Sequence, residues 1–327
     1  MIGWLDTARF LPLPQPDKAD GTPRRTGVEI EFGGLTELEA AGVVQGCFGG
    51  RIEQVGAHEA RVEETDIGGV SIVLDTAYRT ATPSAAATAV LNAARLVVPV
   101  EIATGPLTFE RLARLDDLRD ALRRNGAIGS RNGVLLGFGL HLNTEVPDTT
   151  TRAIVPVLRA FALLEDWLRR ADPIDPSRRL LPFVDPYPRS FVDLLVEEAP
   201  DWTMAQMIEA YLANAPSRNH GMDLLPLLRH IDEARVLHHL RGAQAVKARP
   251  TWHYRLPDCR IDEEEWTLAY EWNRFRVVEC VAADPALLER LADDWLVHRE
   301  SYLTARADWA RHVGAVLDDA FRGDPTP

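Results

Sequence analysis

The sequence predicts an α+β fold, and three features of its order carry that expectation. The first half reads as short β-like runs interleaved with helices. Residues from about 150 to 246 have helical periodicity throughout. One strand-like stretch, RPTWHYRLPD at 249–258, arrives before a closing run of helices. This order suits a sheet completed by a late strand, with the helices segregated from it. The expected organisation is a proline-rich arm over 1–25 and one domain over 26–327. Within that domain lie a helical insert at about 150–246 and C-terminal helices at about 262–322.

The elements justify themselves in turn. LPLPQPDKADGTPRR, residues 11–25, is too rich in proline and polar residues for a regular element and reads as an extended arm. TGVEIEFGGL, residues 26–35, alternates Val28, Ile30 and Phe32 with Glu29 and Glu31 and stops at two glycines, as a half-buried strand does. TELEAAGVVQGCF has helical spacing, and RIEQV, EARVEET and GGVSIVLDT are β-like. SAAATAVLNAARL is helix-like and leads to the strand VVPVEIATGPL. TFERLARLDDLRDALRRNGA sets Leu112, Leu115, Leu118 and Leu122 on one face, with Gly126 near its end. VLLGFGLHLNTEV is the next strand. TRAIVPVLRAFALLEDWLRRA, TMAQMIEAYLANA and DLLPLLRHIDEARVLHHL are the helices of the insert, joined by turns such as DPIDPSRRLLPFVDPYPR. Tryptophans 167, 202, 266, 272, 295 and 309 fall at helical spacing and read as packing residues.

Composition narrows the function. A net charge of -13 argues against nucleic acid or an anionic membrane as the main partner, though not against a nucleotide met by local positive charge and metal. No apolar run approaches the ~20 residues of a membrane span, and the N-terminus lacks the pattern of a secretory signal. Three cysteines without C-x-x-C spacing suit a reduced, cytoplasmic setting. No Walker A lysine motif, G-x-S-x-G or H-E-x-x-H occurs, so P-loop, serine-hydrolase and zincin readings lack support.

The chemistry gathers on four strands. Glu29 and Glu31 share a strand face, as do His141 and Asn143, and His253 and Arg255; Glu101 stands alone among apolar neighbours. Each alone has an ordinary explanation, as a wet strand face, a hydrogen-bonded histidine or a salt-bridge arginine. Together they would bury charge that needs a cation. Carboxylates with a histidine suit a hard divalent ion, and an arginine in the same basin suits phosphate. Lys247 and Arg249 precede the late strand and could meet phosphates as well. Asn214, Arg218, Asn219 and His220 form a loop that reads as a linker or a substrate contact. Asp66 and Asp75 read as turn residues, and His238 and His239 as helix surface.

Five segments, RRTGVEIEFGGL, VPVEIATGPL, GFGLHLNTEVP, LLEDWLRR and ARPTWHYRLPDCRIDE, resemble in order and spacing the amidoligase family of the glutamine synthetase and glutamate–cysteine ligase superfamily. The resemblance implies a glutamine-synthetase-like catalytic domain: a curved antiparallel sheet with helices behind it and an active site on its concave face. It implies ATP and Mg²⁺, with Mn²⁺ as the variant ion. A small-molecule or peptide carboxylate would attack ATP, and the acyl phosphate would then react with an amine. By position, Glu29, Glu31, Glu101, His141 and His253 would be metal ligands, and Asn143 would meet substrate. Lys247, Arg249 and Arg255 would bind nucleotide, with Arg255 and His141 at the reacting centre. One departure stands out. The superfamily usually has E-x-R where this chain has His253-Tyr254-Arg255. A metal-dependent amide hydrolase and a non-catalytic nucleotide or amino-acid binder are the rival readings, and a homo-oligomer is compatible with all three.

Overall fold

The computed structural model describes residues 2–74, 99–132, 137–175, 184–240, 246–300 and 305–322. The helix expected at 84–96 and the turn residue Asp75 lie outside the described residues. Among those described, six strands form one antiparallel sheet: β1 (Thr26–Phe32), β2 (Arg51–Gly56), β3 (Glu59–Glu63), β4 (Val70–Leu74), β5 (Val100–Thr104) and β6 (Leu140–Thr144), in the order β2-β3-β4-β5-β1-β6.

Period-2 patterning decides which way each strand faces. Along β1, Val28, Ile30 and Phe32 are fully buried while Glu29 and Glu31 are only partly so. Register carries the apolar row across the sheet, with Val28 opposite Leu142, and Ile30 opposite both Leu140 and Ile102; Ile72 in turn faces Ile102. Burying each such side chain contributes roughly 1.5–3 kcal/mol. A one-residue slip would turn the whole row to the wrong face, which is why the register is firmly set.

The expectation of a curved, concave, glutamine-synthetase-like sheet is overturned. The ladder is open and linear, neither curled nor closed, with β2 at one end and β6 at the other. The late stretch, expected to complete the sheet as a strand, makes only isolated bridges: Thr251 to Glu145, Tyr254 to Leu142 and Asp258 to Gly139. Pro250 and Pro257 bracket it and supply no N–H to a ladder. It still runs antiparallel along β6, with Trp252 N donating to Thr144 O at 2.8 Å and Tyr254 N to Leu142 O at 3.0 Å. On its other side Arg255 N donates to Gly221 O and Asp223 N donates to His253 O, which makes an isolated antiparallel bridge of Met222 and Tyr254.

Helices supply the rest of the core. α1 (Glu37–Phe48) starts at a Thr36–Glu39 capping box and packs across β2, β3 and β4. α2 (Phe109–Leu112) and α3 (Leu115–Arg124) follow β5. After β6 come α4 (Thr151–Ala171), α5 (Arg189–Glu197), α6 (Met204–Asn214), α7 (Leu225–Ile231) and α8 (Glu233–His239). α9 (Leu268–Ala283), α10 (Pro285–Glu300) and α11 (Arg306–Phe321) close the chain, with α4 packed against both α9 and α11. All six tryptophans read as packing residues are buried. α9 is capped from a distance: the Asp116 carboxylate on α3 accepts from Leu268 N at 2.7 Å and Ala269 N at 3.1 Å.

The N-terminal arm is sewn into these last helices. Trp4 Nε1 donates to Asp318 on α11, Leu11 N donates to Asn273, and Trp272 Nε1 donates to Leu11 O. Where the arm meets β1, Arg24 forms a two-pronged ion pair with Glu279 of α9 at 2.6 and 2.7 Å.

Candidate metal and anion site

The polar face of β1 and its neighbours holds the candidate site. Residues directly opposite in an antiparallel pair share a face. Glu29 is opposite His141 and Ala103, Glu31 is opposite Glu101, and Gly27 is opposite Asn143. The side chains meet as the register dictates. His141 Nδ1 lies 2.9 Å from Glu29 Oε2, and Asn143 Nδ2 donates to Glu29 Oε1 at 3.0 Å. Arg249 adds an Nη1 contact to Glu29 Oε1 at 3.3 Å. Glu31 Oε2 accepts from the backbone N–H of Gly139 at 2.7 Å, and its Oε1 is 3.8 Å from His141 Nε2.

His253 reaches the same basin from beyond β6. Its ring stands edge-on to His141 with centroids 5.4 Å apart. One oxygen of Glu29 and one nitrogen from each ring all lie within 4.8 Å of one another, a spacing that could hold a metal ion. The other side of His253 is held by Asp223, whose Oδ2 is 3.4 Å from Nδ1. Asp223 is fully buried and also accepts from Leu225 N and from Arg218 Nε.

Protonation follows from these contacts. Burial opposes ionisation of Glu29, but the hydrogen bond from His141 and the nearby charges, Arg249 among them, outweigh it and hold the carboxyl well below its usual range. Burial likewise pushes His141 down to about 3, helped by the charge of Arg255 and opposed by Glu29. At neutral pH His141 is therefore a neutral ring that gives Glu29 an N–H rather than a charge. Asp223 is held below the usual carboxylate range against its burial, chiefly by the hydrogen bond from His253.

The expected site residues are thus partly gathered. Glu29, Glu31, His141, Asn143, His253 and Arg249 meet around one basin, and Arg255 is near enough to act on His141 electrostatically. Glu101 shares the face but lies outside the three-donor group. It sits on β5, on the far side of β1 from β6, and strands are ~4.8 Å apart. Lys247 is exposed. The 214–221 loop touches the site through Arg218, whose carbonyl accepts from Arg255, while His220 packs on Tyr187 instead. Asp223 was not singled out from sequence. Gly-Met-Asp stands just before the apolar helix α7, where Asp223 Oδ1 accepts from Leu225 N at 2.9 Å. Only its second oxygen serves the site.

No helix among the described residues is long and apolar enough to cross a membrane. Neither a curated protein nor a solved structure matches the chain. A family described as "Putative amidoligase enzyme" matches over residues 22–277, from the end of the arm through most of α9. That span includes every residue of the basin, and amidoligases form amide bonds. The chain belongs to this amidoligase family.

Proposed function

We propose that the protein is an ATP-dependent carboxylate–amine ligase acting on an amino acid or small peptide. The reading rests on one juxtaposition: a three-donor metal cluster with arginines beside it, in a chain of the amidoligase family. In the proposed reaction a carboxylate oxygen of the acid attacks the γ-phosphorus of ATP and ADP leaves. The amine then attacks the acyl carbon of the acyl phosphate, inorganic phosphate leaves with the proton the amine gives up, and the amide remains.

The residues divide this work. Glu29, His141 and His253 would hold a divalent ion, with Glu31 and Glu101 as further oxygens on the same face. Bound there, such an ion would supply charge neutralisation to phosphate. Arg255 and Arg249 offer planar guanidinium donors for phosphoryl oxygens, and Lys247, two residues before Arg249, would add a further positive charge. Asn143 and the Nδ1–H of His141 fix the Glu29 carboxylate from two sides, so that it need not reorganise during the reaction. With its proton committed to Glu29, His141 presents only the lone pair of Nε2.

The donor set bears on the ion. Two imidazoles and one carboxylate accommodate Mn²⁺ more readily than Mg²⁺, which favours oxygen. The same set also favours a second reading, a metal-dependent amide hydrolase, because two imidazoles and a carboxylate are a known ligand set for activating water. Amine-dependent ADP release, screened over amino acids, short peptides and polyamines, separates the two. The ligase requires both ATP and amine, whereas amide cleavage without ATP would refute it.

A further inference from the structure

One buried lone pair of the basin faces no donor among the described residues. With Nδ1 of His253 bonded to Asp223, the lone pair falls on Nε2. That atom is buried in a ring 5% exposed, and among the described residues no hydrogen-bond partner reaches it. His141 points the same kind of donor at the basin: its Nδ1 is taken up by Glu29, which leaves the lone pair on Nε2, 3.8 Å from Glu31 Oε1. A buried acceptor without a donor is costly, and a cation beside it removes the cost.

We infer that Glu29, His141 and His253 form a site for a first-row divalent transition ion that discriminates against Mg²⁺, with Asp223 as its positioning residue. The inference rests on the metal site of the ligase reading and goes past it in naming the class of ion. Imidazole nitrogen supplies two of the three donors and suits the Mn²⁺-to-Zn²⁺ series. Mg²⁺ demands oxygens in a near-ideal octahedron and gives up water reluctantly. With His253 where a glutamate would bring charge, the three donors carry one formal negative charge, which further weakens the hold on a hard ion.

Asp223 completes the assignment. A metal-bound histidine commonly donates its other N–H to a carboxylate, which fixes the tautomer and raises the basicity of the ligating nitrogen. Asp223 is anchored for that task by Leu225 N and Arg218 Nε, so its oxygen is not free to turn away.

The test uses the full chain, stripped with chelator and titrated with Co²⁺, whose visible ligand-field absorption reports the donor atoms. Mg²⁺ serves as the competitor. The parent should give a nitrogen-ligated Co²⁺ band that survives excess Mg²⁺. His253→Glu should lose that band's character and become displaceable by Mg²⁺. Asp223→Asn should keep the band and bind Co²⁺ roughly 10–100-fold more weakly, a change that lost stability alone would not produce in the folded fraction. Displacement of Co²⁺ from the parent by equimolar Mg²⁺ would overturn the inference whether or not the variants fold. ADP release measured in parallel keeps the two readings apart. A Co²⁺ band with no ADP release under any ion would sink the ligase alone. ADP release with Mg²⁺ and no Co²⁺ band would sink the ion assignment alone.

Discussion

Replacing Arg24 with methionine should destabilise the fold by about 3–5 kcal/mol, the range for leaving one partner of a buried ion pair uncompensated. The two side chains are 1% and 4% exposed, so Glu279 would have no water to turn to. Arg24 also donates through Nε to Glu145 O at 2.6 Å and through Nη1 to Gln15 O at 2.9 Å, and methionine offers neither carbonyl a replacement. For a chain longer than 250 residues each kcal/mol lowers Tm by about 2 °C, so a fall of roughly 6–10 °C is expected. Denaturant titration, with thermal melting beside it, is the assay. The double variant Arg24→Met, Glu279→Leu supplies the control: an apolar pair of similar volume removes the stranded charge and should recover most of the loss. A single variant costing under about 1 kcal/mol, the exposed-pair value, would refute the reasoning, as would a double variant no better than the single.

Two further outcomes can be checked in the same way. Asp116→Ala removes the acceptor at the start of α9 and should cost about 1–2 kcal/mol by denaturant titration, the upper range for loss of a helix cap; an unchanged midpoint would mean that water satisfies Leu268 N and Ala269 N equally well. Arg255→Lys keeps the charge but not the planar fork, so the folded enzyme should lose roughly 10²–10³-fold in kcat for amine-dependent ADP formation, whereas near-parental turnover would remove Arg255 from the mechanism.

Much of the site was legible because strand periodicity is a strong local signal. Glu29 and Glu31 had to share a face once Val28, Ile30 and Phe32 took the other, and His141 and Asn143 follow the same rule on β6. α4 spans the 151–171 segment whose helical spacing the sequence displays. Sheet shape is another matter. Alternation says which side of a strand is wet, not how far strands coil, and the open ladder is a property of pairing between distant segments. The late stretch shows the same limit: His253 and Arg255 alternate as in a strand, yet flanking prolines leave only isolated bridges. Glu101 also has the right parity, but parity is blind to which neighbour of β1 a strand becomes. The role of Asp223 was hidden for a related reason, since its second oxygen acquires a partner 30 residues further along the chain.

The stitched arm has a consequence for how the protein is made. Trp4 finds its partner 314 residues later, and Trp272 bonds back to Leu11 across 261. An emerging chain therefore carries the segment around Trp4 and Leu11 unpaired until residues 272–318 have been made. Such long-range closure slows folding and leaves sticky intermediates exposed. Removing α11 would thus be felt at Trp4, more than 300 residues away along the chain.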